Sequence, residues 1–238
     1  MVSHGYVLPT RGIAIQSDSP LSLSSNTATL LTLAPHAESL NFSSLWVGDS
    51  ILTRHRLEPL TTLASIAALT KKVQIGTAIY LLHLRHPVHV AHATATLDQL
   101  SNGRFIFGIG VGTSHESTIN ESRNLGIPFS ERGAILNESL DVIRKLWRGE
   151  NVSSTGFYPF QNAHLDIPPA REPPIYMATT KFDPKSGFSN SNIDLSSLYL
   201  ASVKKVPTFI SCKTVTVLIS SVFKSMLSFP SLSFSPSK

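Results

Sequence analysis

The chain has 238 residues, 42% of them hydrophobic and 15% charged, which is the composition of a globular domain with a buried core and not of a disordered chain. Its one cysteine, Cys212, excludes a disulfide framework and a cysteine-based zinc site. The formal charge of +5 comes from lysines scattered over residues 181–238, while residues 1–180 are balanced, so a basic nucleic-acid-binding face is not expected.

The elements follow in chain order. Tyr6-Val7-Leu8 reads as a strand, and Gly12-Ile-Ala-Ile15 as its continuation after a turn. A helix is predicted over about residues 28–40, then a strand over 44–47 that ends at Gly48-Asp49. Pro59 opens a second helix at the first-turn position where proline is tolerated. Its Leu60, Leu63, Ala64, Ala67 and Ala68 keep a helical period. Residues 73–82 form the longest strand-like run. Pro87 opens a third helix that reaches Leu100 and is broken by Ser101-Asn102-Gly103. Residues 104–109 are a fourth strand. Near-continuous apolar strands of this kind suit a parallel sheet covered on both faces. After a polar stretch, Ser130 is placed to cap a helix that runs to Arg148, with Gly149 at its end. Leu136, Leu140, Ile143 and Trp147 give that helix one buried stripe. Residues 150–173 read as irregular, and 174–178 as a fifth strand.

This β-α alternation predicts a parallel α/β fold, and pattern alone leaves a barrel and a doubly wound sheet open. No apolar run approaches the about 20 residues a membrane-spanning helix needs. The N-terminal MVSHGYVLPTRG lacks an apolar core of signal-peptide length. A soluble, cytoplasmic protein without a membrane partner is expected.

Several stretches, in order, resemble the luciferase-like monooxygenase family. They are AESLNFSSLWVGD ending at Asp49, EPLTTLA from Glu58, IGTAI from Ile75 and LRHPV from Leu84. ATLDQLSNGRFIFGIGVG from Ala95, PFSERG from Pro128, LWRGE from Leu146 and PPIY from Pro173 complete the set. The resemblance implies a (β/α)8 TIM-barrel fold, present here as about strands one to five over residues 1–180. It implies oxidation of a small molecule with a flavin-type cofactor, FMN as reduced flavin or a deazaflavin. Molecular oxygen is the co-substrate of the monooxygenase reading. Hydride transfer with a deazaflavin and a non-catalytic fragment are the alternatives. A flavin reductase and a second copy of the chain are the partners this implies.

Function on such a barrel sits at the carboxyl ends of the strands. Asp49 and Ser50 follow strand two. Family members often carry a histidine where Ser50 stands, and a serine donates a hydrogen bond but shuttles no proton near neutral pH. The alternative role for Asp49 is to close its turn by side-chain capping. Thr77, Ala78 and Ile79 end strand three, where the resemblance implies a non-proline cis peptide bond beneath the cofactor ring. Gly108-Ile-Gly-Val-Gly-Thr113 ends strand four and is not a dinucleotide fingerprint, because its third glycine comes one residue early. Gly110 and Gly112 allow close approach of a ring, with Thr113 or Ser114 as donors and Asn120 toward the pyrimidine side. His83, His86, His89 and His92 recur every third residue, but Pro87 breaks the row and no carboxylate completes a ligand set, so no metal site is expected. Glu131 suits the dipole at a helix start, and Arg132 is a further candidate for a cofactor phosphate.

Residues 181–238 differ: 15 of the 58 are serine and no βα rhythm continues. Two readings stand, an extension without fixed structure or a sequence that leaves the family's pattern near Thr180.

Overall fold

The computed structural model describes residues 4–16 and 18–178, so the expectations for residues 181–238 lie outside the described residues. The described elements are β1 (Gly5–Val7), α1 (Thr10–Gln16), α2 (Pro20–Ser39), β2 (Ser44–Val47), α3 (Pro59–Leu69), β3 (Gln74–Thr77), α4 (Pro87–Leu100) and β4 (Phe105–Gly110). They continue as α5 (Glu116–Asn124), α6 (Arg132–Trp147), β5 (Val152–Ser154), β6 (Phe160–Ala163) and β7 (Ile175–Ala178). Short 3-10 turns at Leu82–Leu84 and Phe129–Glu131 precede α4 and α6.

Five strands form one parallel sheet in the order β1-β2-β3-β4-β7, and β5 and β6 make a separate antiparallel pair. The order is sequential and never reverses. A doubly wound sheet needs a reversal at its switch point, so the order resolves the ambiguity the pattern left. The arrangement is that of the first five strands of a (β/α)8 barrel.

The helices start where local chemistry supplies a cap. Ser19 and Ser22 exchange reciprocal side-chain-to-backbone bonds, each 3.1 Å, ahead of Pro20. Glu58 caps α3 by accepting from the Thr61 amide at 2.7 Å, and the His86 ring caps α4 by accepting from the Val88 amide at 3.3 Å. Pro59 and Pro87 are the first residues of their helices, as the sequence predicts. The apolar face of the sheet supplies Leu45, Ile75, Phe105, Phe107 and Ile109, each fully buried. Removing each such side chain from water contributes about 1.5–3 kcal/mol. Trp147 of α6 stacks its edge on Phe107 at 6.1 Å, and its indole N–H donates to Thr94 Oγ1 of α4 at 3.2 Å.

Six local expectations are corrected. Residues 12–15 belong to helix α1, not to a continuation of the first strand: Thr10 is buried and the Ile13 amide donates to the Pro9 carbonyl at 3.1 Å, which turns the chain. Helix α2 begins at Pro20, well before residue 28, because the Ser19 cap fixes its start. Strand β3 stops at Thr77. Beyond it Tyr80 alone bridges to Ile109, and the run from 73 to 82 is apolar because it is buried, not because all of it is strand. Ser130 does not cap α6; it lies inside the 3-10 turn, and Glu131 holds the cap position without a side-chain bond. Residues 150–173 contain the β5-β6 hairpin, and the polar stretch after Gly112 contains α5.

Candidate functional site

The carboxyl ends of β2, β3 and β4 lie side by side and bring together most of the residues singled out in the sequence. Asp49, just past β2, is buried. Its Oδ2 accepts from the Leu81 amide at 2.9 Å. Its two oxygens also take both Nη groups of Arg85, at 2.6 and 2.9 Å. Arg85 in turn lies over the Tyr80 ring at 4.3 Å. Burial alone would lower the Arg85 pKa, but the hydrogen bonds and charge of Asp49 outweigh it and raise it. Burial also raises the Tyr80 phenol well above its ordinary value. Asp49 therefore joins the β2 end to the segment after β3 through a fixed, charge-assisted fork.

The Ala78–Ile79 peptide bond is cis. Ala78 and Ile79 are half-buried, whereas Thr77 is fully buried and donates its hydroxyl to the Gly108 carbonyl at 2.7 Å. Thr77 thus ties β3 to β4, and the open faces belong to residues 78 and 79. A Cβ on Gly110 would meet Ile79 Cδ1 at 2.5 Å and the Ala178 carbonyl oxygen at 3.1 Å. Gly112 has φ +70, and a Cβ there would sit 3.3 Å from Leu81 Cδ2. These glycines let Ile79, the Ala178 carbonyl, Leu81 and Thr118 pack close against the end of β4. Thr113 is exposed. Asn120, on α5, accepts from Arg123 at 3.0 Å.

Ser50 donates to Glu121 at 3.1 Å and does not stand alone at the mouth. Glu121 is buried, and one of its oxygens also accepts from the amides of Ile51 at 2.5 Å and Leu52 at 2.8 Å. The sequence reading missed this carboxylate. Its partners are two backbone amides and the Ser50 and Thr53 hydroxyls, about 70 positions away, and no motif marks such a pairing.

Two further groups carry unusual electrostatics. His83 is fully buried in the turn before α4, neither ring nitrogen has a hydrogen-bond partner among the described residues, and burial pushes its pKa down to about 4. Arg132 stacks on Phe129 at 3.8 Å, donates to the Phe129 carbonyl at 2.7 Å and reaches Ser114 Oγ at 3.4 Å. The histidine row does not converge: His83 is buried, His86 caps α4, and His89 and His92 are exposed. Among the described residues no group of three metal-ligating side chains lies together, and no helix is long and apolar enough to cross a membrane.

A sequential parallel βα sheet of this kind defines the (β/α)8 barrel class, in which function sits at the carboxyl strand ends. The particular family follows from comparison. Residues 4–186 match the luciferase-like monooxygenases, and the chain belongs to that family. It is 35% identical to an F420-dependent glucose-6-phosphate dehydrogenase of Amycolatopsis mediterranei, over 63% of this chain and 46% of that protein. Among solved structures it resembles a monooxygenase from Streptomyces bottropensis with a TM-score of 0.65 at 27% identity, covering 76% of this chain and 54% of that one. It shares its fold with the oxygenating constituent of the FMN-bound 3,6-diketocamphane monooxygenase of Pseudomonas putida, with a TM-score of 0.62 at 20% identity over 75% and 51% of the two chains. The chain spans about half the length of the relatives it matches. Relatives in the family work with F420 or with FMN.

Proposed function

We propose that this chain carries the ring-binding strand ends of a flavin-type oxidoreductase that oxidises a small molecule. One observation supports the reading: Ala78 and Ile79 stay half-buried at the carboxyl end of β3, and Gly110 at the end of β4 packs against Ile79 without a side chain between them. Ala78, Ile79, Gly110 and Gly112 would hold the flat face of the ring. Asp49, fixed by Arg85, shapes the β2 side, with Ser50 beside it. Thr113 and Asn120 stand on the rim as polar contacts. When bound, reduced FMN supplies the electrons for oxygen chemistry, and the protein contributes orientation and exclusion of water.

The monooxygenase reading is favoured at Ser50. Its hydroxyl is committed to Glu121, and it offers no proton-accepting side chain near neutral pH where family members often place a histidine. Reduced flavin would then come from a flavin reductase. The second reading, hydride transfer with F420, draws support from the 35% identical F420-dependent relative.

Calorimetric titration of the full chain with oxidised FMN, reduced FMN and F420, followed together with melting temperature, tests both. The expected result is saturable binding of one cofactor and a stability gain of about 2.7 kcal/mol at a hundredfold excess over Kd. Gly110→Val should abolish it. No binding of any of the three would sink the reading.

A further inference from the structure

Three arginines follow the β1 and β2 ends in the chain, Arg11 on α1 and Arg54 and Arg56 in the loop after β2. Arg56 is half-buried, its guanidinium packs directly against the Cα of Gly48, and its Nε is buried with no hydrogen-bond partner. A Cβ built on Gly48 would clash with that guanidinium and would stand 3.4 Å from the Ala78 carbonyl oxygen, so Arg56 sits at the edge of the ring bed. Arg11, on α1 after β1, and Arg54, in the same loop as Arg56, lie near enough for their charges to bear on it. Burial lowers the Arg56 pKa first and the two neighbouring cations lower it further, while Asp49 opposes them. Asp49 is already held at both oxygens by Arg85. Among the described residues none of Arg11, Arg54 and Arg56 makes an ion pair.

A guanidinium whose Nε is buried with no partner among the described residues is costly to keep. A guanidinium is also the side chain whose planar fork matches a carboxylate, phosphate or sulfonate. We propose that Arg56, flanked by Arg54 and Arg11, receives an anionic group of the substrate beside the ring bed, so that this site selects anionic small molecules. The inference rests on the function proposed above for the word substrate. The anion is assigned to the molecule being oxidised and not to the cofactor tail, because Arg56 lies at the bed itself. Oxidation needs the substrate in contact with the ring, so a substrate anion belongs there.

The test needs no cofactor in its first arm. The full chain is titrated with sodium sulfate against sodium chloride at equal ionic strength, and melting temperature is followed. The parent should show a saturable rise. Arg56→Gln and Arg54→Gln should each weaken the apparent affinity at least about tenfold, as expected for loss of a charge-assisted contact. Arg56→Lys should restore part of it, and Arg148→Gln, at the far end of α6, should leave it unchanged. Comparing parent with Arg56→Gln cancels the general stabilising effect of sulfate. In chloride, Arg56→Gln should melt no lower than the parent, because it removes an unpaired charge. An Arg56→Gln variant that keeps the parent's sulfate response overturns the proposal. In the second arm, sulfate and the cofactor are titrated against each other. Independent binding supports a substrate anion, and mutual exclusion assigns the anion to the cofactor phosphate and overturns it. A chain that binds sulfate through Arg56 but no cofactor would sink the oxidoreductase reading alone.

Discussion

Asp49 and Arg85 illustrate how single residues hold the mouth. The pair is bidentate, with Asp49 buried and the Arg85 side chain 18% exposed. Asp49→Asn would leave the guanidinium only Glu58, at 3.9 Å and partly exposed, as counter-charge, and should cost roughly 3 kcal/mol in urea unfolding, near the lower end for broken buried pairs. His83 makes a second prediction through its charge. Its folded pKa, about 4, lies below the ordinary histidine value of 6.5. The unfolded chain therefore takes up a proton first as pH falls. His83 places no burden on stability above about pH 6.5, costs progressively more between there and pH 4, and adds no further loss below it. The groups around it, Arg132, Arg85 and Glu121, partly offset one another and leave burial as the main cause. Melting temperatures of the parent and His83→Leu should diverge as pH drops from 7 to 4, with the parent falling faster. Parallel curves would show that His83 does not titrate in this range. Legibility at this scale was uneven. Asp49 follows a strand end and stands out in the sequence, but Glu121 is an acid in a polar stretch whose partners only folding supplies.

Four helices end in one way. After α2, α4, α5 and α6 the residues Asn41, Asn102, Gly126 and Gly149 take positive φ. In each case the amide of that residue and the amide of the next donate back to the last turn; for α6 they are Gly149 to Leu146 at 3.0 Å and Glu150 to Lys145 at 3.1 Å. Space around Gly149 is open, so Gly149→Ala isolates the backbone cost and should lower stability by about 1 kcal/mol. Asn102→Gly should be neutral or mildly stabilising in the same assay. The proline starts of α3 and α4 and the glycine end of α6 were readable because those residues act locally, whereas the proline start of α2 was missed. Helix α5 was not. Its buried residues are Thr118, Glu121 and Ser122, so no apolar stripe announced it. The β5-β6 hairpin escaped for a similar reason, since its outward residues are polar and its pairing is short and bulged.

The two ends of the sheet divide the labour of the whole molecule. At the amino ends, Glu38 accepts from the amides of Lys71, Lys72 and Val73, and Arg104 donates to Ser101, Thr70, Val73 and Ala67. Conserving such bonds serves stability, while function gathers at the carboxyl ends. Arg104→Met would strip partners from several buried carbonyls and should cost roughly 2–3 kcal/mol. The folded fraction should retain its cofactor affinity. An affinity that fell in step with stability would contradict this division. The sequence by itself determined the alternation of strands and helices, the starts of α3 and α4, the family, and the strand-end positions at Asp49, Ala78, Ile79 and Gly110. Those depend on local periodicity, proline and glycine, which act over a few residues. Only the tertiary structure decided that the sheet runs in sequential order, that Asp49 is spoken for by Arg85, that Ser50 answers to Glu121, and that Arg56 makes no ion pair among the described residues. Each of these depends on which distant groups share a desolvated space, and that is set by packing, not by spacing along the chain.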